Sequence, residues 1–159
     1  MRILKRIDLA GFVLEPGERA LIRSEIVGGA VLATNEALHI ASSDRQSHER
    51  IEWWKMKRVS FDPVEMSLRI ATENARAEFI LTIPSLLPET VRERVTATIL
   101  TSITFAPPND AKAVISLRRR PTTNGEATFI EIEWQGSPSE SVRAQAEQRS
   151  HWLKEQASL

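Results

Sequence analysis

Three histidines are the side chains of this sequence best suited to acid–base or metal chemistry, and they stand at positions 39, 48 and 151. The segment "HERIE", residues 48–52, matches the beginning of a zinc-protease helix, H-E-x-x-H. Glu52 stands where the second histidine ligand would be needed. The segment also lies where a polar loop meets a predicted strand, so we interpret it as surface polar residues.

Other catalytic patterns are absent from the sequence. It has no cysteine, no glycine-rich phosphate loop and no G-x-S-x-G nucleophile turn. Glu131 and Glu133 share one strand face and could hold a cation, but pairing with arginine across a hairpin is the favoured alternative. We therefore predict no catalytic residues, no cofactor and no metal, and rank an enzyme with an unrecognised site lowest.

Two tryptophans are candidate interaction residues. Trp53 and Trp54 precede Lys55 and Lys57 in "EWWKMKR". In a strand, neighbouring side chains face opposite sides, so one indole should enter the core and the other should not. An exposed tryptophan beside lysines could be a hot spot for a partner. The alternative is packing against the edge of the fold, and we favour that alternative.

Arg118, Arg119 and Arg120 form the only charge cluster of the sequence. The cluster could bind an acidic partner or RNA, although no aromatic ladder for base stacking accompanies it. A two-residue turn at Asn124-Gly125 would place Arg118 opposite Glu131. We therefore expect Arg118 to have a structural role. Arg119 and Arg120 fit this register less well and could be free.

Length and charge limit the function classes. The chain has 159 residues, 42% of them hydrophobic, and its 21 basic residues equal its 21 acidic ones. It can build a core for one domain, and it lacks the net positive charge that drives non-specific nucleic-acid binding. We find no transmembrane helix and no signal peptide. We expect a cytoplasmic protein.

Short alternating segments predict an antiparallel sheet. Ala20, Ile22, Ser24 and Ile26 share one face, and turns are expected at Gly28-Gly29 and Asn35-Glu36. Further strands are expected in 30–34, 37–42, 50–61, 66–73 and 77–84. In these later strands, Met66, Leu68 and Ile70 share one face, as do Phe79, Leu81 and Ile83. Short strands at this spacing suggest a small barrel or sandwich.

The pattern changes at Pro88. Val91, Val95 and Ile99 recur every fourth residue, which predicts an amphipathic helix over 88–103 with these residues buried. The rival interpretation is a strand, because the many β-branched residues of this segment also fit a period of two.

The last third of the sequence predicts a hairpin and a helix. Asn124-Gly125 marks a hairpin within 111–134, and "SPSE" forms a capping box with Ser137 as N-cap and Glu140 three residues later. Val142, Ala146 and Leu153 share one stripe of the final helix. The apolar residues of the hairpin should pack on this helix, on the barrel or on a second copy of the chain: Ile115, Leu117, Ile130, Ile132 and Trp134.

Several local motifs resemble a known fold. The segments "GERALI", "VLATNEAL", "IEWWKMKRVSFD" and "FILTIP" resemble the bacterial pleckstrin-homology-like (PH-like) pattern. With "VRERVTATI", "ISLRRRP" and "SPSESVRAQAEQ", residues 15–156 resemble a family of uncharacterised actinobacterial proteins. The resemblance implies an α+β fold: a PH-like antiparallel barrel at 15–104 capped by the helix, then the hairpin and C-terminal helix at 111–156. The corresponding parts of the chain are 1–105 and 106–159, expected to form one compact unit.

The resemblance implies no activity, because PH-like barrels support many unrelated functions. The first hairpin, "EIVGGAV", carries no lysine or arginine, so we expect no binding to phosphoinositides or membranes. We predict a non-catalytic protein–protein interaction or scaffold module whose partner could be a second copy of the chain. The alternative is a nucleic-acid- or ribosome-associated protein that uses Arg118–Arg120.

Overall fold

A computed structural model describes residues 9–44 and 46–157. These residues form ten strands, one short 3-10 helix and two α-helices, so the fold is mixed α+β and mostly β, as predicted. The chain divides into two compact units, one ending at Thr96 and the other beginning at Ala97. Residues 97–105, predicted as the end of the first part, lie in the second unit.

The first unit begins with a four-stranded meander of β1 (Ala20–Ile26), β2 (Gly29–Thr34), β3 (Ala37–Ser42) and β4 (His48–Glu52). The predicted turn at Asn35-Glu36 is confirmed, and the first turn lies at Val27-Gly28, one residue before its predicted place, because Gly29 already pairs with Ile26. Gly28 has a positive φ of 84°, which a glycine adopts at little cost. A Cβ on Gly29 would lie 2.0 Å from the carbonyl oxygen of Ala41, so only glycine fits there.

A three-stranded meander follows, made of β5 (Arg58–Asp62), β6 (Ser67–Ala71) and β7 (Arg76–Ile80). Its inward side chains, including Leu68, Ile70 and Phe79, meet those of the first sheet in one apolar core. The expectation for Ile83 is wrong: the chain leaves the strand after Ile80, and Ile83 is 59% exposed.

A helix covers this core. The helix α1 (Leu87–Thr96) buries Leu87 and Val91 completely, and Val95 packs against the same core from a partly buried position. Pro88 lies in its first turn, as predicted, where the missing N–H costs no hydrogen bond.

The two sheets of the first unit do not close into a barrel among the residues described. Each sheet keeps its own hydrogen-bond ladder, and a single bridge between Ile26 and Leu81 connects them. Between β4 and β5 the chain turns through the 3-10 helix Trp53–Lys55, which interrupts the ladder at that corner. The predicted closed barrel is therefore corrected to an open arrangement of two sheets.

The predicted extent of the first helix was too long. Helix α1 ends at Thr96, and the following residues form strand β8 (Ile99–Phe105), which pairs with β9. Ile99 is 37% exposed and not buried. The rival strand interpretation is correct for this part because β-branched residues lose side-chain freedom in a helix, and β9 supplies hydrogen-bond partners.

A second apolar cluster covers the outer face of the four-stranded sheet. Phe12 packs there with Ala30, Leu32 and Ala41, and Leu14 contacts the same cluster. The segment before β1 therefore lies across a sheet face that would otherwise be open to water, and both faces of this sheet are covered.

The second unit is a three-stranded sheet with a helix on it. Strands β8, β9 (Lys112–Thr122) and β10 (Gly125–Gln135) form the sheet, and α2 (Glu140–Ala157) packs on β9. Val142, Ala146 and Leu153 of α2 form one core with Ile115 and Leu117, which Ile130, Ile132 and Trp134 flank. Of the three packing partners predicted for the hairpin, the last helix is the one present in this core.

The predicted register of the β9–β10 hairpin is wrong by two residues. Leu117 pairs with Ile130 and Ile115 with Ile132. Thr123 and Asn124 form the turn, while Gly125 pairs with Thr122. A shift of two keeps every side chain on its own face, so the apolar pattern could not distinguish the two registers.

The predicted N-cap of α2 is also displaced. The Oγ of Ser139, not Ser137, accepts the backbone N–H of Val142 at 3.3 Å. Ser139 is held in place by its own hydrogen bond to Asp110 Oδ2, at 2.8 Å. Within the described residues, neither helix is long and apolar enough to cross a membrane.

Candidate functional site

Three arginines line one open cleft on the outer face of the β5–β6–β7 sheet. Arg58, Arg69 and Arg76 come from three different strands, and Ser60, Ala71 and Glu78 lie among them. The cleft has a volume of about 510 Å³. We call it the arginine cleft. It was not predicted, because the three arginines are far apart in the sequence.

The register of the strands explains this arrangement. Arg58 pairs with Ala71, and Ala71 pairs with Arg76 on its other side. Arg69 lies two residues before Ala71 and therefore on the same face. Because the side chain of Ala71 is short, the longer side chains of the three arginines form the walls of a depression around it.

One carboxylate faces these cations within the cleft lining. Glu78 Oε1 lies 3.3 Å from Arg69 Nε and accepts a hydrogen bond from Ser67 Oγ at 2.9 Å. These hydrogen bonds, first from Ser67 and then from Arg69, lower the pKa of Glu78. The carboxylate is ionised at neutral pH and is already occupied by Arg69. The lining therefore carries three positive charges and one negative charge.

A second cleft adjoins the first. It has a volume of about 300 Å³, and Arg76 belongs to the lining of both. Arg50 and Lys55 line this side, but both have acidic partners: Arg50 lies 3.3 Å from Glu36, and Lys55 lies 3.6 Å from Glu52. Arg76 lies between the two depressions.

A buried chain of polar groups lies on the outer face of the four-stranded sheet. His39 Nε2 lies 2.7 Å from Glu18 Oε2, and His39 Nδ1 lies 3.0 Å from His48 Nε2. The side chains of Glu18 and His39 are fully buried, whereas His48 is exposed. The edge of Phe12 packs against both imidazoles.

Hydrogen bonding fixes the ionisation of Glu18. Burial opposes the charged form, but hydrogen bonds from Thr34, from the backbone N–H of Glu15 and from His39 outweigh it and lower the pKa of Glu18 to about 2. Arg50 Nε lies 3.5 Å from Glu18 Oε1. The carboxylate is therefore an anion at neutral pH, despite its complete burial.

The same geometry determines the protons of the two histidines. Because Glu18 accepts, His39 carries a proton on Nε2. With the proton on Nε2, His39 Nδ1 is left to accept the N–H of His48. Burial, and then repulsion from His39, lower the pKa of His48. These contacts connect the exposed imidazole of His48 to the buried carboxylate of Glu18 through His39.

The hydrogen-bonded series Glu18–His39–His48 was not predicted from the sequence. A histidine within the apolar strand "ALHIAS" was the available signal, because a histidine buried in a sheet needs partners for both nitrogens. No group of three or more acidic or histidine side chains in the described parts of the chain is placed to hold a metal ion. His151 lies on α2, in the other unit.

Exposed apolar side chains collect at one end of the first unit. The backbone N–H of Val27 bonds to the carbonyl of Ile80 at 2.8 Å, and the N–H of Leu81 bonds to the carbonyl of Met66 at 2.9 Å. These bonds bring three separate segments together. We call their exposed apolar residues the loop patch; the exposed fractions are 65% for Val27, 89% for Val64, 42% for Ile80 and 59% for Ile83.

The two predicted interaction tryptophans have different environments. Trp53 is 3% exposed and donates its indole N–H to the carbonyl of Thr34 at 3.0 Å. Trp54 is half-buried, with the ammonium of Lys55 lying 5.3 Å from its ring centre. One indole therefore enters the core, as expected, but the segment is a 3-10 helix and not a strand.

The three arginines at 118–120 differ in how far their side chains are buried. Arg118 is 2% exposed and is held by Glu131 and Thr98. Arg119 donates to the carbonyl of Ala97 at 3.0 Å, while Arg120 is exposed. The three residues do not present one continuous cationic surface, because Arg118 is buried among Glu131, Thr98 and Phe129 on the sheet face opposite the apolar core.

No protein-family model, no curated protein and no solved structure matches this chain.

Proposed function

We propose that this chain is a non-catalytic protein-interaction module that resembles PH-like proteins in its architecture and acts in the cytoplasm. The order of elements in the first unit supports the architectural proposal: four strands, three strands and then one helix. The resemblance to uncharacterised actinobacterial proteins remains part of this proposal.

The loop patch carries the functional proposal. Isolated exposed apolar residues are common, but several apolar residues brought together from separate segments are typical of an interaction surface. Val27, Val64 and Ile83 have little role in the core, since each is more than half exposed.

The charges around the patch favour a protein partner over a bilayer. Asp62 and Glu65 flank Val64, whereas the nearby Glu25 is paired with Arg23 at 2.7 Å. Acidic residues at the rim would be repelled by anionic lipids and by nucleic acid. They complement a protein surface that combines an apolar centre with basic residues at its edge.

Variants at the loop patch test the proposal. The full chain, a Val64→Lys/Ile83→Lys double variant and a Val13→Lys control are immobilised and exposed to native lysate, with and without nuclease. Val13 is 80% exposed but lies outside the patch. We expect the wild type and the control to retain the same partner after nuclease treatment and the double variant to lose it.

Two outcomes would contradict this proposal. If the double variant retains the partner, the patch is not the binding surface. If nuclease releases the partner from the wild type, the chain associates with nucleic acid instead. Sedimentation of the purified protein over a concentration series then shows whether a second copy of the chain is the partner.

A further inference from the structure

Strand β8 is an edge strand without a single charged side chain. Among the strands described, it hydrogen-bonds to β9 alone, and its other side has no strand partner. Five of its seven residues are exposed, so the strand is open to solvent. An edge of this kind presents backbone N–H and C=O groups that can pair with a strand of another chain.

The other edge strands of the three sheets are protected against such pairing. Charged side chains on an edge strand oppose the addition of a further strand. Each of the other five edge strands, β1, β4, β5, β7 and β10, carries at least two of them. On β10, the opposite edge of the same sheet, they are Glu126, Glu131 and Glu133. Around β8, by contrast, the uncharged stretch extends from Val95 to Asn109.

The regular part of β8 is complementary to itself. The register shift between Ile99 and Thr101 confines regular pairing with β9 to residues 101–105. Two copies of this segment, antiparallel about a two-fold axis at Ile103, would place Ile103 opposite Ile103, Ser102 opposite Thr104, and Thr101 opposite Phe105. Every side chain keeps its own sheet face in this register. Cross-strand pairs of β-branched and aromatic residues stabilise a sheet, and no like charges would face one another.

We propose that β8 pairs with β8 of a second copy of this chain about that axis, so that the two three-stranded sheets join into one continuous sheet. A two-fold contact uses the same surface on both copies and closes on itself. A pair of short strands is a small interface, so we expect a weak and reversible dimer. The loop patch lies in the first unit and β8 in the second, so this inference goes beyond the proposed function.

Sedimentation of the full-length protein over a concentration series tests the proposal. The wild type should change from monomer to dimer as its concentration rises. Ser102→Lys/Thr104→Lys alters two exposed positions and sets like charges opposite one another across the axis. It should raise the dimer dissociation constant at least about tenfold. The control, Thr122→Lys/Thr123→Lys, adds the same charge at exposed positions of the β9–β10 hairpin and should dimerise as the wild type does.

A mixture of oppositely charged variants separates repulsion from misfolding. Ser102→Glu/Thr104→Glu should also be monomeric by itself. Mixed in equal amounts with Ser102→Lys/Thr104→Lys, it should form a heterodimer, because opposite charges then face one another across the axis. A mixture that stays monomeric, or a lysine variant that dimerises like the wild type, would overturn the proposal.

Hydrogen exchange of the wild type locates the contact without any substitution. Amides of residues 101–105 should exchange more slowly at a concentration where the dimer predominates than where the monomer does. A wild type that remains monomeric throughout the series, or a dimer that protects other segments instead, contradicts the proposal.

The loop-patch variant Val64→Lys/Ile83→Lys distinguishes the two surfaces. It should dimerise as the wild type does, since neither residue lies on β8. If this variant loses the dimer while Ser102→Lys/Thr104→Lys keeps it, the second copy binds at the loop patch. The pairing of β8 is then refuted, whereas the proposed function stands.

Discussion

Arg118 Nη1 lies 2.8 Å from Glu131 Oε2, although Arg118 pairs across the ladder with Phe129 and not with Glu131. The ion pair is diagonal, and the guanidinium also lies 5.8 Å from the ring centre of Phe129. Thr98 Oγ1 accepts two further hydrogen bonds, from Arg118 Nε at 3.0 Å and Nη2 at 2.7 Å. A buried charge is thus compensated on several sides, which is the condition for tolerating it in a core.

Replacing Arg118 should be costly. Arg118→Ala leaves Glu131 without its closest cation and removes the bonds to Thr98, so we expect a loss of about 3 kcal/mol in the free energy of unfolding. The control is Arg120→Ala, at an exposed position, with an expected change within about 0.5 kcal/mol. Urea denaturation of both variants measures the difference, and similar losses would show that Arg118 is not a structural residue.

Neighbouring leucines test the placement of α1. Leu87 is fully buried, whereas Leu86 is 62% exposed. Leu87→Ala should lower the free energy of unfolding by about 3 kcal/mol through the cavity that it leaves. Leu86→Ala should change it by less than about 0.5 kcal/mol. Thermal and chemical unfolding provide the measurement, and a reversed order would mean that the opposite face of the helix enters the core.

The depressed pKa of Glu18 predicts a specific pH dependence. Its value of about 2 lies below the ordinary 4.5, so the unfolded chain binds this proton more readily. The stabilisation is complete above about pH 5 and is lost as the pH falls through the interval between these two values. A shift of this size corresponds to about 3 kcal/mol.

Comparison with Glu18→Gln isolates that contribution. The variant cannot ionise, and its free energy of unfolding should lie below that of the wild type at about pH 7 and approach it as the pH falls to about 2. Unfolding in urea at several pH values gives the difference between the two proteins. A difference independent of pH would mean that Glu18 acts through packing alone.

The division into two units predicts the behaviour of fragments. Residues up to Thr96 contain both apolar clusters of the first unit, so fragment 1–96 should unfold cooperatively. Fragment 1–105 adds β8 without its partner β9, leaving a strand edge that favours aggregation. Calorimetry and light scattering of both fragments test this. A soluble fragment 1–105 together with an unfolded fragment 1–96 would contradict the assigned boundary.

The sequence predicted local elements better than their ends and long-range contacts. Both turns of the first meander depend on local backbone preferences; the one at Asn35-Glu36 is correct, and the one predicted at Gly28-Gly29 is displaced by a single residue. The place where α1 ends depends on β9. Residues 99–105 could continue the helix, but they pair with β9 as strand β8 instead. Local periodicity cannot decide between these two outcomes.

The residues of the candidate sites were harder to predict, because they come together only through contacts between segments that are distant in the sequence. Arg58, Arg69 and Arg76 become neighbours only when the registers of three strands are known. Glu18 meets His39 only because the segment before β1 crosses the outer face of the sheet. Arg118 was correctly matched to Glu131 despite the wrong register, because an arginine side chain is long enough to reach the diagonal neighbour.

The three sheets share one feature of topology that affects the folding rate. In every hydrogen-bonded pair of the ten strands described, the two strands are consecutive along the chain. Only short loops must close before these pairs form, and the entropy cost of closing a loop rises with its length. A chain of low contact order folds faster than a β-sandwich of similar size built from distant strands. The meanders should therefore form early, and the bridge between Ile26 and Leu81, which closes a much longer loop, should form late.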